Sequence, residues 1–253
     1  PSPWTVVRSF CGLAQTTEFY RSILHTLLRV AAGFAAGMAA GLLAGTLTAF
    51  SRAADVLLTP LKNIIKATPV TSFIVLILLY FSSNATPSAV AFLAVLPICW
   101  SNVCEGLRQT DKKMTELAHA YAFGRKKTLR EIYFPAVRPY LSAAATTGLG
   151  FAWKSCVAAE VIALSKNSVG RALYESKLYL ETAELFAWTA SVVLISVLFE
   201  KLLVHKLFKN KNTEGTAGRR SESLEHGHAS CEAELQYKSD AYVEYGRDEE
   251  RNI

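Results

Sequence analysis

Apolar runs separated by short polar stretches occupy the chain from Ile23 to Leu207, after which the pattern stops. The first run, Ile23 to Phe50, is long enough at about 1.5 Å per residue to cross a bilayer core of about 30 Å with tilt. A second runs from about Ala67 to Ser82 with Pro69 near its start, and a third covers about Ser88 to Cys104 around Pro97. A fourth follows Pro139, from about Tyr140 to Leu164, and a fifth extends from about Ala183 to Leu207. These five runs predict five membrane-crossing helices in an all-α integral membrane protein. Between them, residues 1 to 21 read as a short interfacial helix and 51 to 66 as a cytoplasmic or interfacial connection broken at Pro60. Residues 82 to 87 read as a tight turn, and 165 to 182 as a polar segment containing Gly170.

The longest internal polar stretch, 105 to 138, has a helical period of its own. Met114, Leu117, Ala118 and Tyr121 fall at i, i+3, i+4 and i+7, with Thr110 or Asp111 placed to cap the start. After Gly124 the pattern restarts: Leu129, Ile132 and Tyr133 lie on one face and Arg125, Lys126, Lys127 and Arg130 on the other, until Pro135 is expected to stop it. The spacing therefore predicts two short helices, the second folded back on the first.

Within the apolar runs two features stand out. Gly33, Gly37, Gly41 and Gly45 recur every four residues and lay a groove along one helix face, where a neighbouring backbone can approach closely. Packing within the subunit is the expected use of that groove. In the fourth run Lys154 and Glu160 are ionisable groups deep in an apolar helix, where charge is costly and is met by a cavity or a partner. Six residues apart, they point about 120° away from each other, so each needs a separate partner. Two roles stay open for them: neutralising a group on a neighbouring helix, or lining a passage, with Trp153 and Ser155 beside Lys154 as weaker candidates. Arg29, near the outer end of the first run, is expected to snorkel to the headgroups.

Composition narrows the class. The 253 residues are 51% hydrophobic and carry a net charge of +6. The cations lie in loops between apolar runs and are not interleaved with aromatics on a polar domain, which argues against nucleic-acid binding. The five cysteines, Cys11, Cys99, Cys104, Cys156 and Cys231, have scattered spacings that suit small buried residues better than a disulfide framework or metal site. No phosphate-binding Gly-rich loop and no Ser/His/Asp or Cys/His set is present, so no cofactor and no catalytic residue is expected. Residues 209 to 253 contain seven Lys/Arg and ten Asp/Glu with no sustained period, and read as a disordered tail. In it His226, His228 and Cys231 lack a fourth ligand for a metal.

The stretch ELAHAYAFGRKKTLREIYFP, 116 to 135, resembles the EAA loop of permease subunits of binding-protein-dependent ABC importers. That motif reads Glu-Ala-Ala, three residues, Gly, nine residues, Ile, one residue, Leu-Pro. Glu116, Ala118, Ile132 and Pro135 stand at matching positions; Leu117 and Phe134 replace an Ala and the Leu, and Ala122 stands where the Gly belongs. Since a left-handed φ is costly for Ala, the turn is expected to move to Gly124. LLRVAAGF at 27 to 34 and FAWKSCVAAEVIAL at 151 to 164 are similar to the nitrate, sulfonate and taurine branch, and the likeness covers most of residues 1 to 208.

The resemblance implies a type I importer permease fold, with 1 to 208 as the transmembrane domain, and a first span preceding Pro1. It implies a two-fold homodimer in the bilayer, a separate ATPase pair that binds ATP, and an extracytoplasmic substrate-binding protein. The ATPase contact would be made by Glu116, Leu117, Ala118, Ala122, Gly124, Ile132 and Pro135. Charge agrees with the loop and tail being cytoplasmic, because eight Lys/Arg fall in 105 to 138. An anionic solute such as a sulfonate or taurine would suit Lys154. The alternatives are a same-fold permease for a pyrimidine vitamin precursor or amino acid, a non-transporting scaffold, and a secondary transporter.

Overall fold

The structure, a computed structural model, describes residues 2–208, and the tail with His226, His228 and Cys231 lies outside the described residues. Among the described residues all regular structure is helical: α1 Pro3–Leu13, α2 Thr17–Phe50, α3 Arg52–Ala67, α4 Val70–Tyr80, α5 Thr86–Arg108, α6 Lys112–Ala120, α7 Arg125–Thr128, α8 Phe134–Ala163, α9 Val169–Leu178 and α10 Thr182–Phe208. The contacts that follow belong to the compact unit Pro1–Val204.

The α2–α5 seam organises this unit. A Cβ added at Gly33 would come within 2.4 Å of Ser88 O, at Gly37 within 2.8 Å of Val95 Cβ, at Gly41 within 2.6 Å of Cys99 Cβ, and at Gly45 within 2.9 Å of Trp100 O. Absent side chains thus let the two backbones approach, and close packing is what drives helix association in lipid, where apolar surface has no water to escape. Two polar contacts cross the seam: Trp100 Nε1 donates to Thr48 Oγ1 at 3.0 Å and the Cys99 thiol to Met38 O at 3.4 Å. α8 closes over both helices, placing Leu149, Ala152, Trp153, Cys156 and Val157 against Val30, Ala91 and Val95. α4 adds Ile74 to Val90 and Ala159, while Trp188 of α10 packs with Phe19 and Val169.

The outer surface carries large apolar side chains. Leu43 and Leu47 of α2 and Val75, Leu76 and Leu79 of α4 are all exposed, a density that lipid accommodates and water does not. α2 and α5 are each long and apolar enough to cross a membrane. α3 and α4 meet that standard only jointly and are bent by 104° to each other, at Thr68, which is extended as residues before proline tend to be. α8 has 30 residues interrupted by Arg138, Lys154 and Glu160, and α10 is apolar over Thr182–Leu198, the part of it that is described in full.

Two proline expectations are corrected. α3 runs straight through Pro60 without a break. Pro135 does not stop the second loop helix either: α7 passes through a π-helical turn, Leu129–Tyr133, directly into α8, with Phe134 N–H donating to Leu129 O. Pro135 has no N–H to offer Glu131 O and its ring would crowd that carbonyl; the wider turn just before it relieves the crowding, so the helix continues.

Gly41→Val should lower the stability of the purified protein by about 1–3 kcal/mol or more, because the new atoms meet Cys99 and the α5 backbone. Gly150→Ala, with nothing within 4 Å of its Cβ, should stay within about 1 kcal/mol of the parent. Thermal unfolding in detergent compares the two.

Candidate functional site

Two polar sites sit at opposite ends of the helix bundle. The first begins where Asp111 caps α6, its carboxylate accepting from Lys113 N–H at 2.9 Å. On α6 Ala118 is buried, 3% exposed, whereas Met114, Leu117 and Tyr121 are 55, 56 and 71% exposed, and Glu116 is exposed beside them. The apolar stripe expected of an amphipathic helix is there, but this chain covers little of it.

The end of α6 overturns the expectation about its turn. Ala122 takes φ +49°, and Phe123 N–H donates back to Ala118 O at 2.8 Å, the six-to-one bond of a left-handed helix cap. No glycine among the described residues has positive φ, so Gly124 is not the turn residue. Its carbonyl instead accepts from Lys127 and Thr128 N–H and starts α7. The chain accepts a strained Ala at the position a helix cap requires rather than shifting the cap by two residues.

The loop's entry and exit are tied to neighbouring helices. Tyr140 OH donates to Gln109 Oε1 at 2.6 Å, and the Tyr140 ring fills the space a side chain at Gly106 would need. Phe50 at the end of α2 meets Tyr133 edge-on at 5.2 Å. Arg108 pairs with Asp55 of α3 at 2.6 Å. The Thr59 hydroxyl, and after it Arg108, hold the Asp55 carboxyl below the usual carboxylate range. Ile132 is half-buried and Pro135 exposed at this junction.

At the other end of the bundle, the Glu160 carboxylate is fully buried. Thr26 Oγ1 donates to both its oxygens, at 3.0 and 2.9 Å, Arg29 Nη1 to Oε1 at 2.9 Å, and Gly170 N–H to Oε2 at 3.2 Å. Arg29 also donates to Lys166 O, so it is drawn into the protein and does not snorkel. Around this core Lys166 N–H bonds Asn84 Oδ1 and Ser165 Oγ bonds Ser83 O, knitting the 82–85 turn to the segment after α8. A Cβ at Gly170 would lie 2.4 Å from Glu160 Cβ, which explains a glycine there. Thr26, Arg29 and Gly170 were not singled out as partners of Glu160, since their separations of 134, 131 and 10 residues leave no local trace.

Of the four residues considered for a passage, Trp153, Ser155 and Glu160 point into the subunit. Lys154 differs: it is exposed on the outward stripe of α8 with Phe151, Ala158 and Ile162, and has no ion pair among the described residues.

The family described as "Binding-protein-dependent transport system inner membrane component" matches residues 37–205. The chain belongs to this family. It is an ABC transporter permease, a transmembrane transport component that is not itself the catalyst. A Bacillus subtilis (strain 168) protein assigned by name as an aliphatic sulfonates transport permease, SsuC, is 27% identical over 84% of this chain and 78% of its own. A Chloroflexus aurantiacus riboflavin transport system permease protein, RibX, is 31% identical over 81% and 79%. In three dimensions the crystal structure of an amino acid ABC transporter with histidines superposes with a TM-score of 0.65 at 15% identity, covering 83% of this chain and 99% of that one; it speaks to the fold alone.

Two substitutions probe these sites. Glu160→Ala should cost about 3–5 kcal/mol by leaving Arg29 charged and unpaired in the interior, while a double Arg29→Met, Glu160→Met variant should recover part of the loss in thermal unfolding. Ala122→Gly should stabilise the α6 cap by about 1 kcal/mol, seen as about fivefold slower amide exchange in α6; Gly124→Ala should leave it unchanged.

Proposed function

We propose that this permease forms the passage of an ATP-driven importer for a small organic anion such as a sulfonate or taurine. Two copies pack about a two-fold axis, joined by a pair of cytoplasmic ATPase subunits and served by an external binding protein. The observation that carries this reading is the exposed apolar stripe of α6, Met114, Leu117 and Tyr121, on a capped helix whose flanks are tied to α2, α3, α5 and α8. Such a stripe suits a cleft on an ATPase, with Glu116 as its polar contact and Ala122 fixing how the helix presents itself. Closure of the ATPase pair on ATP would pull this loop and the inner helix ends together, favouring an outward-open state by the difference in ATP affinity between conformations. The cation-rich loop 105 to 138 lies in the cytoplasm on this reading.

Substrate charge rests on Lys154, an exposed cation on an otherwise apolar helix face, and on the likeness to SsuC. The likeness to RibX favours a second reading, the same machine moving a flavin-like or other heterocyclic solute.

In proteoliposomes containing the permease, its ATPase and its binding protein, Lys154→Ala should cut sulfonate uptake at least about tenfold, which corresponds to about 1.4 kcal/mol of lost interaction. Lys154→Arg should retain most of the uptake. Full uptake by Lys154→Ala would contradict the anionic passage, and absence of any ATPase stimulation by the loaded binding protein would contradict the importer itself.

A further inference from the structure

α3 buries no residue within the subunit, yet its sequence is sharply two-faced. At about 100° per residue, Arg52, Asp55, Thr59, Lys62, Asn63 and Lys66 share one arc of about 100°. The remaining arc is entirely apolar, and its outward part is open: Val56 is 72% exposed, Leu57 76%, Leu61 49% and Ile64 62%. An apolar surface of this kind in a membrane protein needs a cover.

Three observations say which cover fits. The 104° bend sets α3 across the direction of α4, so α3 does not continue that helix through the bilayer. Lys62 Nζ lies 5.7 Å from the centre of the Trp100 ring, which is buried in the α2–α5 seam, so the polar arc of α3 is held against the subunit and the apolar arc is turned away from it. The charge on the polar arc is unbalanced, because Asp55, the single acid of α3, is already engaged by Arg108 at 2.6 Å. Arg52, Lys62 and Lys66 are left without an ion pair among the described residues. A second copy of the chain docking on α3 would bring three identical cations to the rim of the contact with no acid of α3 to meet them.

We infer that α3 lies in the plane of the bilayer as an interfacial helix, its Val56, Leu57, Leu61 and Ile64 face seated in the acyl boundary and Arg52, Lys62 and Lys66 bound to the headgroups of anionic phospholipids. The Asp55–Arg108 pair then links that lipid contact to the end of α5, four residues before α6 begins. This inference is independent of the solute transported and of the ATPase contact.

Spin labels attached singly at Leu57→Cys, Ile64→Cys and Asn63→Cys, in the full chain with Cys11 and Cys231 replaced by Ser, test the seating. The chain is reconstituted in phosphatidylcholine vesicles with or without phosphatidylglycerol. Labels at 57 and 64 should be relaxed by oxygen and shielded from a water-soluble nickel complex, and the label at 63 should show the reverse. Phosphatidylglycerol should deepen the labels at 57 and 64, and that dependence should be lost in the Arg52→Gln, Lys62→Gln, Lys66→Gln variant while its thermal midpoint is retained. Nickel access at 57 and 64 would overturn the proposal in favour of an aqueous cavity. Spin–spin broadening that disappears on dilution with unlabelled chain would overturn it in favour of a second copy, and indifference to phosphatidylglycerol would remove the anionic headgroups.

Discussion

A carboxylate held where water cannot reach it imposes the tightest constraint on this permease. Glu160 is surrounded by donors from three places in the chain: the Thr26 hydroxyl and Arg29 guanidinium of α2, and the Gly170 N–H that opens α9. Stripping solvent from a charge costs several kcal/mol, and only near-complete pairing offsets that cost. α2, α8 and α9 therefore have a single register at this end of the bundle, and Arg29 fastens the segment after α8 through Lys166 O. Gly170 belongs to the same constraint, since a side chain there would collide with the Glu160 stem.

Below that clamp the helices are held by closeness rather than charge. The glycine face of α2 brings its backbone against Ser88, Val95, Cys99 and Trp100 of α5, and α8 packs across both. The opposite helix ends are linked by Arg108 with Asp55, Tyr140 with Gln109 and Phe50 with Tyr133, which bracket α6 and α7 on both sides. The unbroken run from α7 through the π-helical turn into α8 adds a stiff connection from the loop to the helix that bears Lys154 and Glu160. A displacement of α6 thus has short, rigid routes into α5 and α8, the arrangement an externally driven conformational change requires.

Much of this was legible in the sequence, and what was not has identifiable causes. Each of the five apolar runs contains a helix, because lipid forces the backbone to bond within its own segment, but among the described residues only α2 and α5 are long and apolar enough to cross a membrane singly, so run length did not report span length. The Asp111 cap and the α6 period are local and could be read locally. Glu160 and Lys154 stood out as costly charges, but which of them had a partner depended on Thr26 and Arg29, more than 130 residues away. Arg29 looked like a snorkelling residue for the same reason. Pro60 and Pro135 were misleading because a proline breaks a helix only when the preceding turn cannot open or shed its hydrogen bond. Ala122 was misleading because propensity argues where a turn is cheap, whereas the α6 cap fixes where a turn must be.

The central claim is that α6 is the surface through which a partner ATPase acts. Its most direct test is cysteine cross-linking from Leu117→Cys on α6 to the ATPase cleft in assembled transporter, with and without a non-hydrolysable ATP analogue, alongside a Glu116→Arg variant. The account predicts efficient cross-linking that changes with nucleotide, and loss of assembly in Glu116→Arg with membrane insertion unchanged. Cross-linking that is absent, or assembly indifferent to Glu116→Arg, would contradict it and leave α6 as a solvated connection between spans.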